Sequence, residues 1–553
     1  MTSGTRCGAL AALVLVLSAA GSSSALAQVG GAVRSTLPEP AREAPPAAPP
    51  AEVTPPAQPA APSGGPTIRI VRFEVEGNTV LSDEELQAAV AEYVGRDLTL
   101  LQIYDVADRL TNLYRDRGYT VASVTVPAQK VAGGVIRLEA VEGRIGKIAV
   151  EGNDRYRRDV LAAYVDSLGP GDILVGERLE RDLLLLNDLP GLRGRSIVQP
   201  GEDYGTTDVL VRVEEDPFSI TARADNYGRE TIGEFRLSSD VFINNITGVG
   251  DQAVLSVLQS EGNGLSYGRG EYSLPIGTSG TRAAVSASRY VFRVEPDKAN
   301  LVGGELKGDG QSLRAQVTHP LIRTRTRNLA VGAAVSSDDS DELAVFAGLA
   351  NPTEQHLNSA QLFASASQIH ADSSVTQAAV TFSTNLRDNP DGTRNNAQKG
   401  KFELELSHAR RLLEDWTLFA RAAGVLALDP LMDIDRYRIG GPGSVRGFPS
   451  AEVAGDDGFV LTVQASRRVK IADGVPGAVR VFWDGGVVHR KAEARAVSGE
   501  TARESLTSVG VGFNLSYAEH YTLDVEVARP LNSLEPSDGQ DSGRIWGVFS
   551  ARF

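Results

Sequence analysis

Cysteine is almost absent from this chain: 553 residues contain one, Cys7. It precedes the apolar stretch Ala9 to Ala20, so it is not placed as a lipid-attachment cysteine, and beyond it no disulfide, thiolate nucleophile or cysteine-based metal site can form. Aromatic residues are scarce at 6%, and the Ala9 to Ala20 stretch is well short of the roughly 20 apolar residues that a membrane helix needs. With 42% hydrophobic residues, the chain is neither disordered nor a bundle of membrane helices. Positive charge is in deficit, 55 Lys and Arg against 70 Asp and Glu, and the net charge of −15 with no basic patch excludes general nucleic-acid binding. His319, His356, His370, His408, His489 and His520 show no i, i+4 pair and no metal spacing, so no metal is expected. There is no P-loop and no other cofactor motif. Gly264-Leu265-Ser266-Tyr267-Gly268 has the spacing of a nucleophile elbow, but it lies among strand-patterned residues and not at a strand-to-helix turn, so no enzyme is expected.

What is present begins with an export signal. Residues 1–27 combine Arg6 as a positive start, the apolar core Ala9 to Ala20, and the small-residue cleavage site Ala25-Leu26-Ala27. Loss of this segment leaves a cysteine-free chain, suited to passage through an oxidising compartment. Residues 28–66 contain a Pro/Ala-rich run with Pro45-Pro46, Pro49-Pro50 and Pro55-Pro56, which reads as an extended, semi-rigid linker and not as a recognition motif.

A repeat follows. Val75-Glu76-Gly77-Asn78 recurs as Val150-Glu151-Gly152-Asn153, and the patterns after each copy correspond. In the first unit, 67–142, Ile68 to Val75 alternates as a strand. Ser82-Asp83-Glu84-Glu85 is a capping box flanked by the staple Leu81 and Leu86, opening a helix with Leu86, Val90, Tyr93 and Val94 on one face. A second helix starts at Thr99, with Gln102 three residues on, buries Ile103, Val106, Ala107, Leu110, Leu113 and Tyr114, and stops at Gly118. Strands at Val121 to Val126 and Val135 to Val141 complete a βααββ order. The second unit, 143–216, repeats it: Ile145 to Val150, helices on Tyr156, Val160 and Tyr164 and on Leu179, Leu183 and Leu186, then strands near Arg195 to Val198 and Thr207 to Val213. Each unit is expected to be a three-stranded sheet covered on one face by two helices. The open sheet edge either accepts an incoming strand through main-chain hydrogen bonds or belongs to a plain spacer domain.

From 217 to 553 the pattern changes to segments of about ten residues that alternate apolar with polar or small residues. Lys401 to Ser407 is one. Val509, Val511, Phe513, Leu515 and Tyr517 against Gly510, Gly512, Asn514 and Ser516 is another, and Tyr521, Leu523, Val525 and Val527 against Thr522, Asp524 and Glu526 is a third. A soluble sandwich would also alternate. The length of the pattern, the succession of short turns and long polar loops, and a terminal strand with Ile545, Gly547, Phe549, Ala551 and Phe553 on one face favour an antiparallel transmembrane β-barrel of sixteen strands, roughly 20 residues per strand and connection. Closure also removes the unpaired edges that hydrocarbon does not tolerate.

Within this region, Arg438 to Pro449 holds four glycines and two prolines in a tightly folded loop presenting Arg446 and Phe448. Val479 to Val487 alternates as a strand, with Arg480, Phe482, Asp484 and Gly486 on one face and Val479, Val481, Trp483 and Val487 on the other. Arg446 and Asp484 are therefore candidate partners.

Val75-Glu76-Gly77-Asn78, Leu98-Thr99, Tyr114 with Arg117-Gly118-Tyr119, Val126-Pro127-Ala128-Gln129 and Leu186-Asn187-Asp188-Leu189-Pro190-Gly191 resemble the paired POTRA domains of the two-partner secretion outer-membrane transporters. The resemblance runs from about residue 67 to the end. Val445-Arg446-Gly447-Phe448 matches the family's loop motif, and Phe482, Asp484 and Gly486 match its strand motif. It implies that a long loop, about residues 430–458, folds back into the barrel lumen and sets Arg446 against Asp484. Such a pair is worth about 0–1 kcal/mol if wet, and loss of one partner costs about 3–5 kcal/mol if it is desolvated. The resemblance further implies an outer-membrane protein with periplasmic POTRA domains that capture an unfolded, β-helix-forming exoprotein and pass it outward. The barrel would be inserted by the barrel assembly machinery, with Phe549 and Phe553 as its assembly signal and outer-membrane lipid around it. Members of the family often place an N-terminal helix in the pore; Gln28 to Thr36, with two consecutive glycines and little amphipathic pattern, does not lead one to expect it here. Two rival readings are an insertase for barrel proteins and a passive porin with periplasmic binding domains.

Overall fold

The computed structural model describes residues 33, 34, 36, 37, 52, 53, 65–295, 297, 305–346, 349–386, 400–492, 501–518, 520–532, 534 and 536–553. The expected export signal lies outside the described residues, as does most of the 28–66 run. The chain divides into two compact units: Pro45–Glu215, and Asp216–Phe553 together with the described residues that precede Pro45. No described helix is long and apolar enough to cross a membrane.

The first unit holds β1 (Glu52–Val53), β2 (Ile68–Arg69), β3 (Arg72–Glu76), α1 (Asp83–Val90), β4 (Asp97–Leu98), α2 (Leu100–Asp116), β5 (Ser123–Thr125) and β6 (Val135–Val141). These are followed by β7 (Arg144–Glu151), α3 (Arg158–Tyr164), α4 (Gly176–Asn187), β8 (Leu192–Pro200) and β9 (Thr206–Glu215). Two sheets result. One has the order β3-β6-β5, with β3 parallel and β5 antiparallel to β6; the other places β9 between an antiparallel β8 and a parallel β7. The starts of α1 and α2 carry reciprocal capping boxes, Ser82 with Glu85 and Thr99 with Gln102, which satisfy donors that the first helical turn leaves without partners. The strand expected from Ile68 to Val75 is split, because Ile70 turns into the core and its N–H donates to the Arg96 carbonyl, leaving β2 to pair with β4.

The four-residue repeat is one turn built twice. Gly77 and Gly152 have φ of +83° and +89°, and a Cβ on either would fall 2.4 Å from a carbonyl oxygen, of Ala140 or Val213. Only glycine accommodates both demands. Asn78 and Asn153 then donate to the carbonyls of Leu81 and Tyr156, while Glu142 accepts from the N–H groups of Thr79 and Val80, and Glu215 from those of Asp154, Arg155 and Tyr156. Beneath each turn lies a separate apolar core, around Ile103, Leu110, Tyr114 and Leu138 in the first domain and Leu161, Leu183, Leu186 and Val211 in the second. Each fully buried aliphatic side chain contributes about 1.5–3 kcal/mol.

The second unit is a closed barrel of sixteen strands among the described residues. They are β10 (Phe218–Asp225), β11 (Arg236–Asn244), β12 (Gln252–Ser260), β13 (Leu265–Ile276), β14 (Thr281–Arg293), β15 (Glu305–Arg323), β16 (Arg327–Phe346), β17 (Leu349–Ile369), β18 (Val375–Asn385), β19 (Gly400–Arg411) and β20 (Trp416–Ala427). After the short hairpin of β21 (Tyr437–Ile439) and β22 (Val453–Gly455), which is not part of the wall, come β23 (Asp457–Ala472), β24 (Val475–His489), β25 (Arg503–Tyr517), β26 (Tyr521–Pro530) and β27 (Arg544–Arg552). Every neighbouring pair is antiparallel, and β10 pairs with β27 to close the ring. Outward residues such as Leu237, Val257, Leu404, Val481 and Ile545 are exposed, while their neighbours Ser238, Ser256, Glu403, Phe482 and Trp546 are buried. This is the period-two pattern of a wall with hydrocarbon outside and a filled lumen inside.

Candidate functional site

The connection between β20 and β23 folds into the lumen. Gly440 and Gly441 turn its chain at φ of +113° and +95°, a region that favours glycine, and β21 and β22 brace its stem. The tip docks on the inner faces of β23 to β27. Val445 and Phe448 are wholly buried, in a cluster with Ile439, Val460, Val488 and Leu506. Gly486 leaves the notch that receives them: a Cβ there would lie 2.9 Å from Ile439 and 3.1 Å from Val445. Gly447 passes so close to the wall that a Cβ would stand 2.7 Å from that of Ser508.

Arg446 meets Asp484 as a two-pronged pair, Nε to Oδ2 at 2.8 Å and Nη2 to Oδ1 at 2.8 Å, and its main-chain N–H adds a third bond at 3.2 Å. Its Nη1 donates to Glu526 at 2.7 Å, and the guanidinium carbon lies 3.3 Å from the centre of the Phe482 ring. Thr462 and Ser508 hydroxyls donate to Asp484, which is wholly buried; the Arg446 side chain is 7% exposed. The pair is therefore the desolvated kind, in which losing one partner costs about 3–5 kcal/mol. Gly510, opposite Phe482, has no side chain where a Cβ would come within 2.2 Å of that ring.

The sequence motifs thus come together, Val445, Arg446, Gly447 and Phe448 from the loop with Phe482, Asp484 and Gly486 from the wall. Three further residues were not read from the sequence: Glu526, which takes the remaining edge of the Arg446 guanidinium; Arg480, bonded to Glu526 and Asp524; and Trp546, whose indole N–H donates to the Arg446 carbonyl. Arg480 stands on the same face as Asp484 and Glu526 on the polar face of its strand, which is the signal that was available. The loop's stem is pinned as well. Buried Lys401 on β19 binds Glu403 and Asp435, each at 2.8 Å, and Arg229 donates to the carbonyls of Ser450 and Ala451.

The sequence matches the family described as Haemolysin secretion/activation protein ShlB/FhaC/HecB over residues 205–515, and the ShlB-type POTRA domain over 68–143. The chain belongs to that haemolysin secretion/activation family. Heme/hemopexin transporter protein HuxB of Haemophilus influenzae (strain 86-028NP) is 23% identical over 482 residues, 85% of this chain and 84% of HuxB. Hemolysin transporter protein ShlB of Serratia marcescens is 26% identical over 512 residues, 89% of this chain and 87% of ShlB. Among solved structures, CdiB from Escherichia coli matches with a TM-score of 0.68 at 20% identity, covering 92% of this chain and 94% of that one. As a member of this family, the protein is an outer-membrane transporter of the two-partner secretion type, with its POTRA region in the periplasm.

In this secretion protein, two stretches of the 28–66 run do more than span a gap. Val33 is wholly buried among Ile232, Leu258, Tyr290, Phe292 and Ile434 on the lumenal side; Arg34 pairs with Asp338, and the Thr36 carbonyl accepts from Arg236. A turn of the N-terminal segment therefore occupies the lumen, contrary to the expectation from its glycines. Its hold comes from the apolar packing of Val33 and Leu37, one ion pair and one hydrogen bond from a guanidinium to a main-chain carbonyl, which need no amphipathic helix. The other stretch is β1, which adds a parallel strand to the β8 edge, Glu52 beside Ile197 and Val53 beside Val198. An edge expected to be open is paired. Phe549 sits on the outer face of β27 and Phe553, exposed, follows its last residue, exchanging main-chain bonds with Ile220 across the closing seam. Among the described residues no group of His, Cys, Asp or Glu is arranged to hold a metal.

Proposed function

We propose that the protein captures one unfolded, β-helix-forming exoprotein in the periplasm and passes it outward through the barrel, with the Arg446 loop as the internal element that holds the lumen in one conformation. The observation that carries this reading is the buried Arg446–Asp484 pair, because desolvation offsets most of what such a pair adds to stability, which leaves a geometric role as its use here. Capture by main-chain pairing is supported by the N-terminal unit, whose β8 edge already takes the short strand β1 in parallel register. The Val33 turn and the Arg446 loop both lie inside the barrel, so a passing chain displaces at least one of them. Energy comes from folding of the exoprotein outside, with no nucleotide, cofactor or enzymatic step. During biogenesis the barrel assembly machinery reads the outward Phe549 and Phe553 of the terminal strand.

Deletion of this chain in its host tests the reading. A transporter predicts that one large exoprotein disappears from the medium and returns when the full chain is restored. Depletion of many barrel proteins would favour an insertase, and a change in permeability with the secreted proteins unaltered would favour a porin.

A further inference from the structure

Glu526 does not belong to Arg446 alone. Its Oε1 accepts from Arg446 Nη1 at 2.7 Å and from Arg480 Nε at 2.9 Å, so one carboxylate oxygen is shared by two guanidinium groups. Arg480 also binds Asp524 with both terminal nitrogens, and Asn514 donates to the same carboxylate. Asp484 is placed differently. Among the described residues its ion pair is with Arg446, and its other side-chain bonds come from the hydroxyls of Thr462 and Ser508. When the loop tip leaves, Glu526 keeps a cation and Asp484 does not.

We propose that Arg480 is a positioning residue that sets how firmly the loop tip is held: by competing for Glu526 and placing a second positive charge beside Arg446, it weakens docking and keeps the loop releasable. The sign follows from the charges. Removing Arg480 leaves Asp484 and Glu526 to Arg446 alone, which tightens the cation's hold; removing the Glu526 charge loosens it. Gly512 is the structural counterpart. It lies opposite Arg480 across β24 and β25, and a Cβ there would stand 2.6 Å from Arg480 Nε, so its missing side chain is the space that Arg480 occupies. This inference rests on the loop leaving its dock during transport, and its test therefore reads the loop directly as well as export.

The experiment uses the exported chain in outer membranes with Val445→Cys, whose thiol is the single reporter once the export signal with Cys7 is removed and is covered while the loop is docked. The rate of labelling by a maleimide reports undocking. Arg480→Gln is expected to slow labelling about ten-fold, the order of one charge-assisted hydrogen bond no longer shared, and to slow export with it. Glu526→Gln is expected to speed labelling, Arg480→Lys to restore the parental rate, and Gly512→Ala to shift it in the direction of Arg480→Gln. If Arg480→Gln labels as fast as the parent or faster while Arg446→Ala speeds labelling, the role of Arg480 is overturned and the docked loop stands. If Arg446→Ala also leaves labelling unchanged, the docking on which both readings depend is overturned too.

Discussion

Trp546, on the last strand, donates its indole N–H to the main-chain carbonyl of Arg446 at 2.7 Å. The strand that closes the barrel thus holds the loop tip by its backbone, while β24 and β26 hold it by its side chain. Trp546→Phe keeps an aromatic ring, though a smaller one, and removes the donor, leaving a buried carbonyl without that partner at a cost of about 1–3 kcal/mol. The expected outcome is a barrel that still shifts on heating in gel electrophoresis, with a loop cut faster by added protease; unchanged cleavage would show that the bond does not restrain the tip.

Arg446→Ala and Asp484→Ala should both cut export strongly while a heat-modifiable barrel remains in the membrane. They should not be equal. Asp484→Ala leaves Arg446 with Glu526, whereas Arg446→Ala leaves a wholly buried carboxylate with no cation, only two hydroxyls and the main-chain N–H of residue 446. Arg446→Ala should therefore be the more damaging by unfolding of the purified barrel, and adding Asp484→Ala to it should recover part of the loss, since the uncompensated charge is then gone. Strictly additive losses would mean that the two residues do not act as a pair.

The β8 edge offers a third prediction. β1 contributes two residues, Glu52 and Val53, paired with Ile197 and Val198, and replacing both by proline removes their N–H donors. The free edge should then bind the exoprotein's N-terminal region more tightly, and the gain should vanish when proline is also placed at Val198. Equal binding by parent and variant would mean that capture uses another edge, of which β3 and β5 are the ones bounding the first sheet.

Local rules and period-two alternation made much of this legible beforehand. The capping boxes at Ser82 and Thr99 need only residues three apart, and the inward placement of Asp484 follows from its parity with Phe482. Contacts that join distant strands were not legible in the same way. Glu526 is one polar residue among several on its face, and only the barrel's closure decides that it meets a loop 80 residues earlier. The lumenal turn at Val33 and the strand at Glu52 escaped for a different reason. Each is too short to show a period; Val33 follows two consecutive glycines closely, and Glu52 lies in a run whose prolines argue for an extended spacer. Ile70 was misplaced because alternation continues through it although the backbone turns there to satisfy Arg96.

A buried acid in the second domain gives a prediction about pH. Asp182 on α4 is buried, and burial holds its carboxyl above the usual aspartate range despite the Ser167 hydroxyl that donates to it and the nearby Arg181 and Arg178, which pull the other way. A carboxyl that binds its proton more tightly in the folded state than in the unfolded chain makes the fold less stable as pH rises from the unfolded value, about 3.9, through the folded one, with no further change above that. Asp182→Asn removes this penalty while keeping an oxygen for Ser167. The variant's periplasmic unit should melt higher than the parent at neutral pH, and the difference should shrink as pH falls and disappear below about 3.9. Melting curves of the two proteins across that range check it. An advantage of the same size at pH 3 and pH 7 would show that asparagine stabilises by packing and that the buried charge carries no cost.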